Sequence, residues 1–315
     1  MKRVLLRVVL LLILLCILLG AVMIPRCTDN PSETTGTEET QSTTGPITGW
    51  RENMGLRYYL YEDGSFARGW LELDGKKYYF NEDGILQTGW LELDGKTYYL
   101  REDGAMARGQ VQIGEKNYFF TSAGAPILLV NPWNYVPEDY SPDLVKLSNK
   151  IAYEGAQVDR SCYEALVAMM ADCNKNSGAT VYILSAYRSH STQTKNFNNK
   201  VNRLINEGYS PEQARIEAAK VVAVPGTSEH ELGLAVDIID TRIWDLVNEQ
   251  ANLPGQKWLM ENCWRYGFVL RYPEDKTAIT GIVYEPWHYR YVGTEVAAEL
   301  HTSGLTLEEY IQSLN

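Results

Sequence analysis

The sequence predicts an α+β domain that follows a solenoid of β-hairpins and an N-terminal transmembrane helix. Three observations predict this order: the chain of 315 residues opens with an uncharged apolar run, continues with a repeat of period 20, and ends in a segment where helical and strand patterns alternate irregularly. This length accommodates more than one domain, and 45% hydrophobic residues suffice for a sizeable core.

Residues 1–26 have the features of a membrane-targeting segment. An apolar run over 8–24 follows three basic residues, Lys2, Arg3 and Arg7. The run exceeds the roughly 7–15 residues of a signal-peptide core, and no small-residue cleavage site follows it. These features favour an uncleaved single-pass membrane anchor with all later residues outside the cell, whereas cleavage would release a secreted protein. Residues 27–48 are rich in Thr, Ser, Glu and Gly, which predicts a disordered linker.

The composition excludes two classes of protein. A formal net charge of −11 argues against a nucleic-acid partner, because phosphate binding relies on a basic surface. The five cysteines do not predict a disulfide framework, since Cys162 and Cys173 fall on one predicted helix, too far apart to pair.

Residues 49–125 form an internal repeat. Its units begin at evenly spaced glycines followed by Trp or Gln: Gly49-Trp50, Gly69-Trp70, Gly89-Trp90 and Gly109-Gln110. Within a unit, an Asp-Gly pair such as Asp74-Gly75 stands between two short apolar strands, which predicts a β-hairpin. Because one hairpin is marginal alone, the units are expected to stack into a solenoid, with the last unit as a cap.

These repeats resemble the family of choline-binding and cell-wall-binding repeats. The resemblance implies that aromatic rings of adjacent hairpins form boxes for a cell-wall polymer, such as one that bears choline, held by cation–π attraction. The candidate ligand aromatics are Trp50, Trp70, Trp90, Tyr79 and Tyr99. The alternative is that these rings only bury one another and so hold the solenoid together.

Residues 126–315 read as a second, α+β domain. Helix starts are predicted by Ser141-Pro142, Ser210-Pro211 and the capping box at Thr306, and a helix is also predicted over 163–173. Strands are predicted over 180–186 and 234–239.

Two stretches of this domain carry a metal-site pattern, Ser228-Glu229-His230 through Asp237 and Glu285-Pro286-Trp287-His288. A catalytic zinc takes three N or O ligands and leaves one position open, and His230, Asp237 and His288 supply such a set. A carboxylate within the apolar run around Asp237 is costly to bury unless it is paired or binds a metal. Glu285 remains free to act as a base.

The region from about 128 to 293 resembles the VanY-type D-alanyl-D-alanine carboxypeptidases, a family of zinc peptidases. The matching elements include Ser185-Ala186-Tyr187-Arg188-Ser189, the Ser-x-His-x-x-Gly-x-Ala-x-Asp motif from Ser228 to Asp237, and the Glu-Pro-Trp-His motif at Glu285. The resemblance implies a small α+β fold shared with Hedgehog-like domains and zinc held by His230, Asp237 and His288.

The same resemblance implies roles for the neighbouring residues. Glu285 would be the catalytic base, and Arg188 would face the scissile carbonyl and stabilise the oxyanion. Ser228 would contribute to substrate binding, with Tyr187 and Gln193 as further candidates for the substrate pocket. The implied reaction is removal of the terminal D-alanine from peptidoglycan stem peptides.

Three alternatives remain open at the level of sequence. The first is an LD-carboxypeptidase acting on tetrapeptide stems, and the second is a murein endopeptidase of the same fold, because a fold alone does not fix the bond that is cleaved. The third is a wall-binding scaffold whose hydrolase domain is inert.

Overall fold

The computed structural model describes residues 48–138 and 140–315. The predicted anchor (1–26) and all but the last residue of the predicted linker (27–48) lie outside the described residues. No helix in the described ranges is long and apolar enough to cross a membrane. The described residues belong to one compact unit.

Four antiparallel hairpins occupy the repeat region, as its periodicity predicts. Each is built from two strands of five residues. The pairs are β1 (Gly49–Asn53) with β2 (Leu56–Leu60), β3 (Gly69–Leu73) with β4 (Lys76–Phe80), β5 (Gly89–Leu93) with β6 (Lys96–Leu100), and β7 (Gly109–Ile113) with β8 (Lys116–Phe120). Asp74 (φ 50°) and Gly75 (φ 73°) both have positive φ in the turn of the second hairpin, as a two-residue type I′ turn requires.

Successive hairpins are joined by backbone hydrogen bonds and a shared core. Leu86 N donates to Arg57 O (2.8 Å) and Met106 N donates to Lys77 O (2.7 Å), so the segment that follows the second or third hairpin bonds to the second strand of the hairpin before it. Ala67, Phe80 and Leu86 lie in a small buried cluster between the units. The hairpins are therefore stacked, which confirms the predicted solenoid.

The second domain mixes strands with helices, as the irregular pattern predicts. Its strands are β9 (Pro126–Ile127), β10 (Leu144–Lys146), β11 (Gln157–Asp159), β12 (Val181–Ser185), β13 (Ala235–Asp240), β14 (Phe268–Leu270) and β15 (His288–Tyr291). Its helices are α1 (Arg160–Ser177), α2 (His190–Asn206), α3 (Pro211–Ala219), α4 (Pro254–Asn262), α5 (Thr277–Thr280), α6 (Thr294–Ser303) and α7 (Leu307–Ser313).

Most of the predicted boundaries agree with these elements, and one does not. The capping box at Thr306 opens α7, and Ser210 caps α3 with Pro211 in its first turn. The prediction of a helix at Ser141 was wrong, because the residues that follow it form strand β10, whose Leu144 pairs with Asp159 of β11. A long-range pairing thus overrides the local helix signal.

The central sheet of this domain has the order β12-β13-β15-β14 and is antiparallel throughout. Because successive side chains alternate between its faces, Val236 and Ile238 face one side and Asp237 faces the other. Val236 and Ile238 pack with Leu166 and Met170 of α1 in the main core. The face that carries Asp237 is left for the site described below.

The fourth hairpin packs against the C-terminal helices. Phe119 of β8 shares a buried cluster with Leu300, Leu307 and Ile311. Gln110, which replaces the repeated Trp, donates its backbone N–H to the Asn315 side chain (2.8 Å). The last repeat therefore contacts the second domain through apolar burial as well as hydrogen bonds.

Candidate metal centre

Two adjacent strands and one turn bring the predicted ligands together. Asp237 of β13 lies directly opposite His288 of β15 in the sheet register. His230 lies in a 3₁₀ turn (Glu229–Leu232) that leads into β13 through Gly233, which has φ 73°. A Cβ on Gly233 would come within 3.0 Å of Asp159 N, so the turn requires glycine both for its φ and for its close approach to β11.

The ligand atoms of His230, Asp237 and His288 all lie within 4.8 Å of one another, and the three side chains are buried. His230 Nε2 is 3.3 Å from one Asp237 oxygen, and His288 Nδ1 is 3.1 Å from the other. Ligands at zinc distances of about 2.0–2.2 Å in a tetrahedral arrangement lie about 3.3–3.6 Å apart. The two nitrogen–oxygen separations, one to each oxygen of Asp237, are close to this ligand spacing.

His230 is held in the tautomer that a metal requires. Its Nδ1–H donates to Ala186 O (2.8 Å), while Nε2 is buried and has no hydrogen-bond partner. Burial and the positive charge of Arg188 lower the pKa of His230 to about 4, so the ring is neutral at pH 7. A buried lone pair with no donor facing it is the observation that best fits a metal ion here.

His288 lies between two carboxylates. Its Nδ1 faces Asp237, and its Nε2 is 3.4 Å from Glu229 Oε2. Burial alone lowers the pKa of His288, but hydrogen bonds to Asp237 and Glu229 outweigh it and raise the pKa to about 9. Asp237 thus favours a positive charge beside Nδ1, which either a proton or a metal ion would supply.

Glu229 anchors the back of the site and was not among the predicted functional residues. It accepts a hydrogen bond from Arg271 Nε (2.8 Å) and forms an ion pair with Arg290 Nη1 (3.1 Å). Burial opposes the charge of Glu229, but these two arginines outweigh it and hold the pKa of its carboxyl well below the usual range. Arg271 also forms a bidentate pair with Glu308 of α7 (2.6 and 2.8 Å). In the sequence, only the position of Glu229 next to His230 indicated a role at the site.

Glu285 lies beside the ligand cluster without belonging to it. Its Oε2 is 3.7 Å from His288 Nδ1, and its backbone N–H donates to Tyr272 O (3.1 Å). Burial, with a smaller contribution from Asp237, raises the pKa of Glu285 to about 8. A carboxyl group with a pKa near neutrality can both accept and donate a proton.

A cavity of about 570 Å³ opens onto these groups, and Arg188 and Ser228 line it. Arg188 Nη2 is 3.8 Å from Asp237 Oδ2, and Arg188 Nε is buried without a hydrogen-bond partner. The cavity thus has a fixed cation beside the ligand cluster, where a developing negative charge on a substrate would be stabilised.

The structure does not bring two of the predicted pocket residues to the cavity. Gln193 is fully buried, and its side-chain amide donates to the backbone O of Ala223 (2.6 Å), a residue that lines the cavity. Tyr187 is partly buried outside the lining, and its backbone N–H pairs with Gln157 O (2.9 Å). Gln193 lies on α2 with its side chain buried, and Tyr187 lies in the segment between β12 and α2.

Four other lining residues were not predicted as site residues, because they lie outside the two metal-site motifs: Lys200, Arg203, Asn248 and Tyr272. The Tyr272 ring centroid lies 4.7 Å from that of His288. Trp287, next to His288, also lines the cavity. These residues are recognised as neighbours only when the fold brings their segments together around the cavity.

The repeat aromatics form a regular pattern of ring contacts. Trp70 makes edge contacts with Tyr79 of its own hairpin (5.2 Å) and Tyr98 of the next (5.1 Å). Trp90 does the same with Tyr99 (5.1 Å) and Tyr118 (5.3 Å). Trp50 also follows this pattern, but the Arg57 guanidinium lies over its ring, 4.7 Å from the centroid. Trp70 and Trp90 keep 37% and 47% of their surface exposed, so these rings remain open to a ligand.

Both the repeat region and the second domain match models of known protein families. Residues 155–294 match the family model described as VanY, D-alanyl-D-alanine carboxypeptidase. Residues 67–110 and 87–125 match the model described as choline-binding repeat. The first match contains all three clustered ligands together with Arg188, Ser228 and Glu285.

Similar proteins are known for the second domain. A D-alanyl-D-alanine carboxypeptidase of Enterococcus faecalis is 42% identical over 187 residues, which is 59% of this chain and 66% of that protein. This chain thus spans just under two thirds of that relative's length. A structure of a mutant of the vancomycin-resistance D,D-pentapeptidase VanY in complex with Zn(II) is 41% identical, with a TM-score of 0.52, and the match covers 58% of this chain and 97% of that one.

A third similar structure has a different described activity. The LdcB LD-carboxypeptidase, described as revealing the basis of peptidoglycan recognition, is 33% identical with a TM-score of 0.52. The match covers 59% of this chain and 86% of LdcB. Two kinds of carboxypeptidase therefore resemble the same domain.

Proposed function

Since the chain belongs to the VanY family of D-alanyl-D-alanine carboxypeptidases, we propose that it is a zinc-dependent enzyme that removes the terminal D-alanine from peptidoglycan stem peptides. The observation that carries the proposal is the buried convergence of His230, Asp237 and His288 at one end of a cavity, with Glu285 beside them. The VanY mutant complex with Zn(II) supports zinc as the metal.

Each residue of the site has its own role in the proposed reaction. His230, Asp237 and His288 would hold the zinc, which would supply a Lewis acid for water and for a peptide carbonyl. Glu285 in its carboxylate form accepts the proton of the attacking water. Glu285 then donates that proton to the leaving amine of D-alanine. The Arg188 guanidinium stabilises the oxyanion that forms on the carbonyl oxygen.

The repeats direct this activity to the cell wall. The match to choline-binding repeats and the two open ring sets around Trp70 and Trp90 support a wall polymer that bears choline as their ligand. A quaternary ammonium held among such rings is stabilised by cation–π attraction. Binding to the wall raises the local concentration of stem peptides at the cavity.

The location follows from the substrate and from the start of the chain. Peptidoglycan lies outside the cytoplasmic membrane, and the apolar run over 8–24 with its basic flank supports a single-pass anchor. The repeats and the peptidase domain then lie on the outer side, within reach of the wall.

Release of D-alanine from defined peptides tests the proposal. Full-length protein loaded with zinc is incubated with a stem pentapeptide that ends in D-Ala-D-Ala and, separately, with the tetrapeptide that ends in an L,D bond. We expect D-alanine from the pentapeptide and no release after chelation, with activity restored by added zinc. Release from the tetrapeptide alone would instead favour the LD-carboxypeptidase activity, which the similarity to LdcB supports as the second candidate.

A further inference from the structure

Two basic residues face the catalytic cavity at positions that no part of the proposed mechanism uses. Lys200 and Arg203 lie three residues apart on α2, so their side chains lie on one face of the helix. Both line the cavity that also contains Arg188, Ser228 and the metal ligands. Together with Arg188, they give the cavity lining three cationic side chains against two carboxylates, Asp237 and Glu285.

Lys200 forms no salt bridge within 4.0 Å among the described residues, and the attraction of Glu207 does not outweigh burial and the charge of Arg203. Asp237 and Glu285 are the two carboxylates in the cavity lining, and both lie at the metal cluster. The nearby Glu207 pairs loosely with Arg203 instead (3.7 Å), and both of those side chains are largely exposed. Burial and the repulsion from Arg203 lower the pKa of Lys200. An anion between the two cations would relieve this repulsion.

We propose that Lys200 and Arg203 form a subsite of the cavity that binds a carboxylate of the substrate peptide. A peptide substrate offers this group from two sources, its free C-terminus or an acidic residue upstream of the scissile bond. A guanidinium and an ammonium on one helix face suit a carboxylate because each donates charge-assisted hydrogen bonds. The inference rests on the proposed function for the identity of the ligand as a peptide.

The test uses two variants and a matched control. Lys200→Met and Arg203→Met remove one charge each while keeping much of the side-chain length. Lys195→Met removes an exposed lysine from the same helix, outside the cavity lining. Each protein is assayed with two pentapeptides ending in D-Ala-D-Ala that differ only in carrying glutamate or glutamine at the second position.

Lys200→Met and Arg203→Met are each expected to raise KM about tenfold, the effect of losing one charge-assisted contact, with kcat nearly unchanged and Lys195→Met like the wild type. A rise confined to the glutamate peptide assigns the subsite to the upstream carboxylate. An equal rise with both peptides, at unchanged zinc content and melting temperature, assigns it to the terminal carboxylate.

Two results would overturn the inference: an unchanged KM of both variants for both peptides, or a loss of activity that only follows a loss of zinc or of folding. If the wild type releases no D-alanine from either peptide, the proposed function fails instead. In that case calorimetric binding of the same two peptides to wild type and variants still tests the subsite.

Discussion

Glu229 shows how a single buried side chain sets the properties of the centre. It faces His288 Nε2, and it neutralises Arg271 and Arg290. A carboxylate that accepts from the second ring nitrogen of a ligand histidine fixes the tautomer and orients the ring. This residue therefore supports both the geometry of the metal ligands and the balance of buried charge.

Replacing the Glu229 carboxylate tests its effect on zinc binding separately from its effect on stability. Glu229→Gln is expected to weaken zinc binding about 10–100-fold and to destabilise the fold by about 3–5 kcal/mol, because Arg290 loses its buried counterion and Arg271 loses one of its two. Glu308→Gln is the control, since it breaks the Arg271 pair without touching His288. Zinc affinity by chelator competition and stability by urea unfolding are the measurements. Equal zinc affinities in Glu229→Gln and Glu308→Gln would contradict the positioning role.

The ligand set also predicts how zinc affinity depends on pH. The pKa of His288 is raised to about 9, so Nδ1 carries a proton at pH 7 that zinc must displace, whereas the pKa of His230 is lowered to about 4 and its ring is already neutral. Apparent affinity should therefore rise about tenfold per pH unit from neutral pH to about pH 9 and then level off.

The released proton can be counted by calorimetry at pH 7 in buffers of different ionisation enthalpy. We expect at least one proton per zinc in the wild type. Glu285→Gln should reduce the count by up to one, because the pKa of Glu285 is about 8 and the bound cation favours its carboxylate form. Zinc binding without any proton release would show that the pKa of His288 is not raised.

Among the elements, the turn between His230 and β13 requires a glycine at position 233. Gly233→Ala is expected to cost about 1–3 kcal/mol and to weaken zinc binding, because φ is 73° and the new Cβ would approach Asp159 N at 3.0 Å. Gly178→Ala at the end of α1 is the control, since it has a similar φ of 65° but no atom within 4 Å of the added Cβ. Thermal unfolding with and without zinc measures both effects. A zinc affinity reduced equally in both variants would argue against a special role for this turn.

The hairpin repeats make a prediction of their own. Trp70→Leu keeps an apolar side chain between Tyr79 and Tyr98 but removes the ring that attracts a cation, so choline affinity should fall about tenfold or more. Trp244→Leu, an exposed tryptophan outside the repeats, is the control. Calorimetric titration with choline measures the affinity. If the wild type shows no saturable binding, the rings serve only to bury one another.

At the scale of the whole molecule, the elements that could be predicted from sequence are those fixed by local signals. The hairpins follow from a strict repeat with Asp-Gly turns, and α7 follows from its capping box at Thr306. The metal ligands could be nominated because they lie within two short motifs. In each case residues close in sequence determine the local structure.

The rest depends on contacts between distant segments. Glu229, Arg271 and Glu308 form one buried chain of charges, yet they lie on three separate elements. Strand β10 forms only because Asp159 of β11 is available to pair with Leu144, which reversed the helix prediction at Ser141. The basic side of the cavity likewise appears only when residues of α2 and of the ligand strands line the same cavity.

The central claim is that one zinc ion at His230, Asp237 and His288 acts together with Glu285 to hydrolyse a terminal D-alanine bond. The most direct measurement is the rate of D-alanine release from the pentapeptide by wild type and Glu285→Gln, each with its zinc content determined on the same sample. The account predicts one zinc per chain in both proteins and a rate about 10²–10⁴-fold lower in the variant, the usual contribution of general acid–base catalysis. Equal rates at equal zinc content, or full wild-type activity after zinc has been removed, would contradict it.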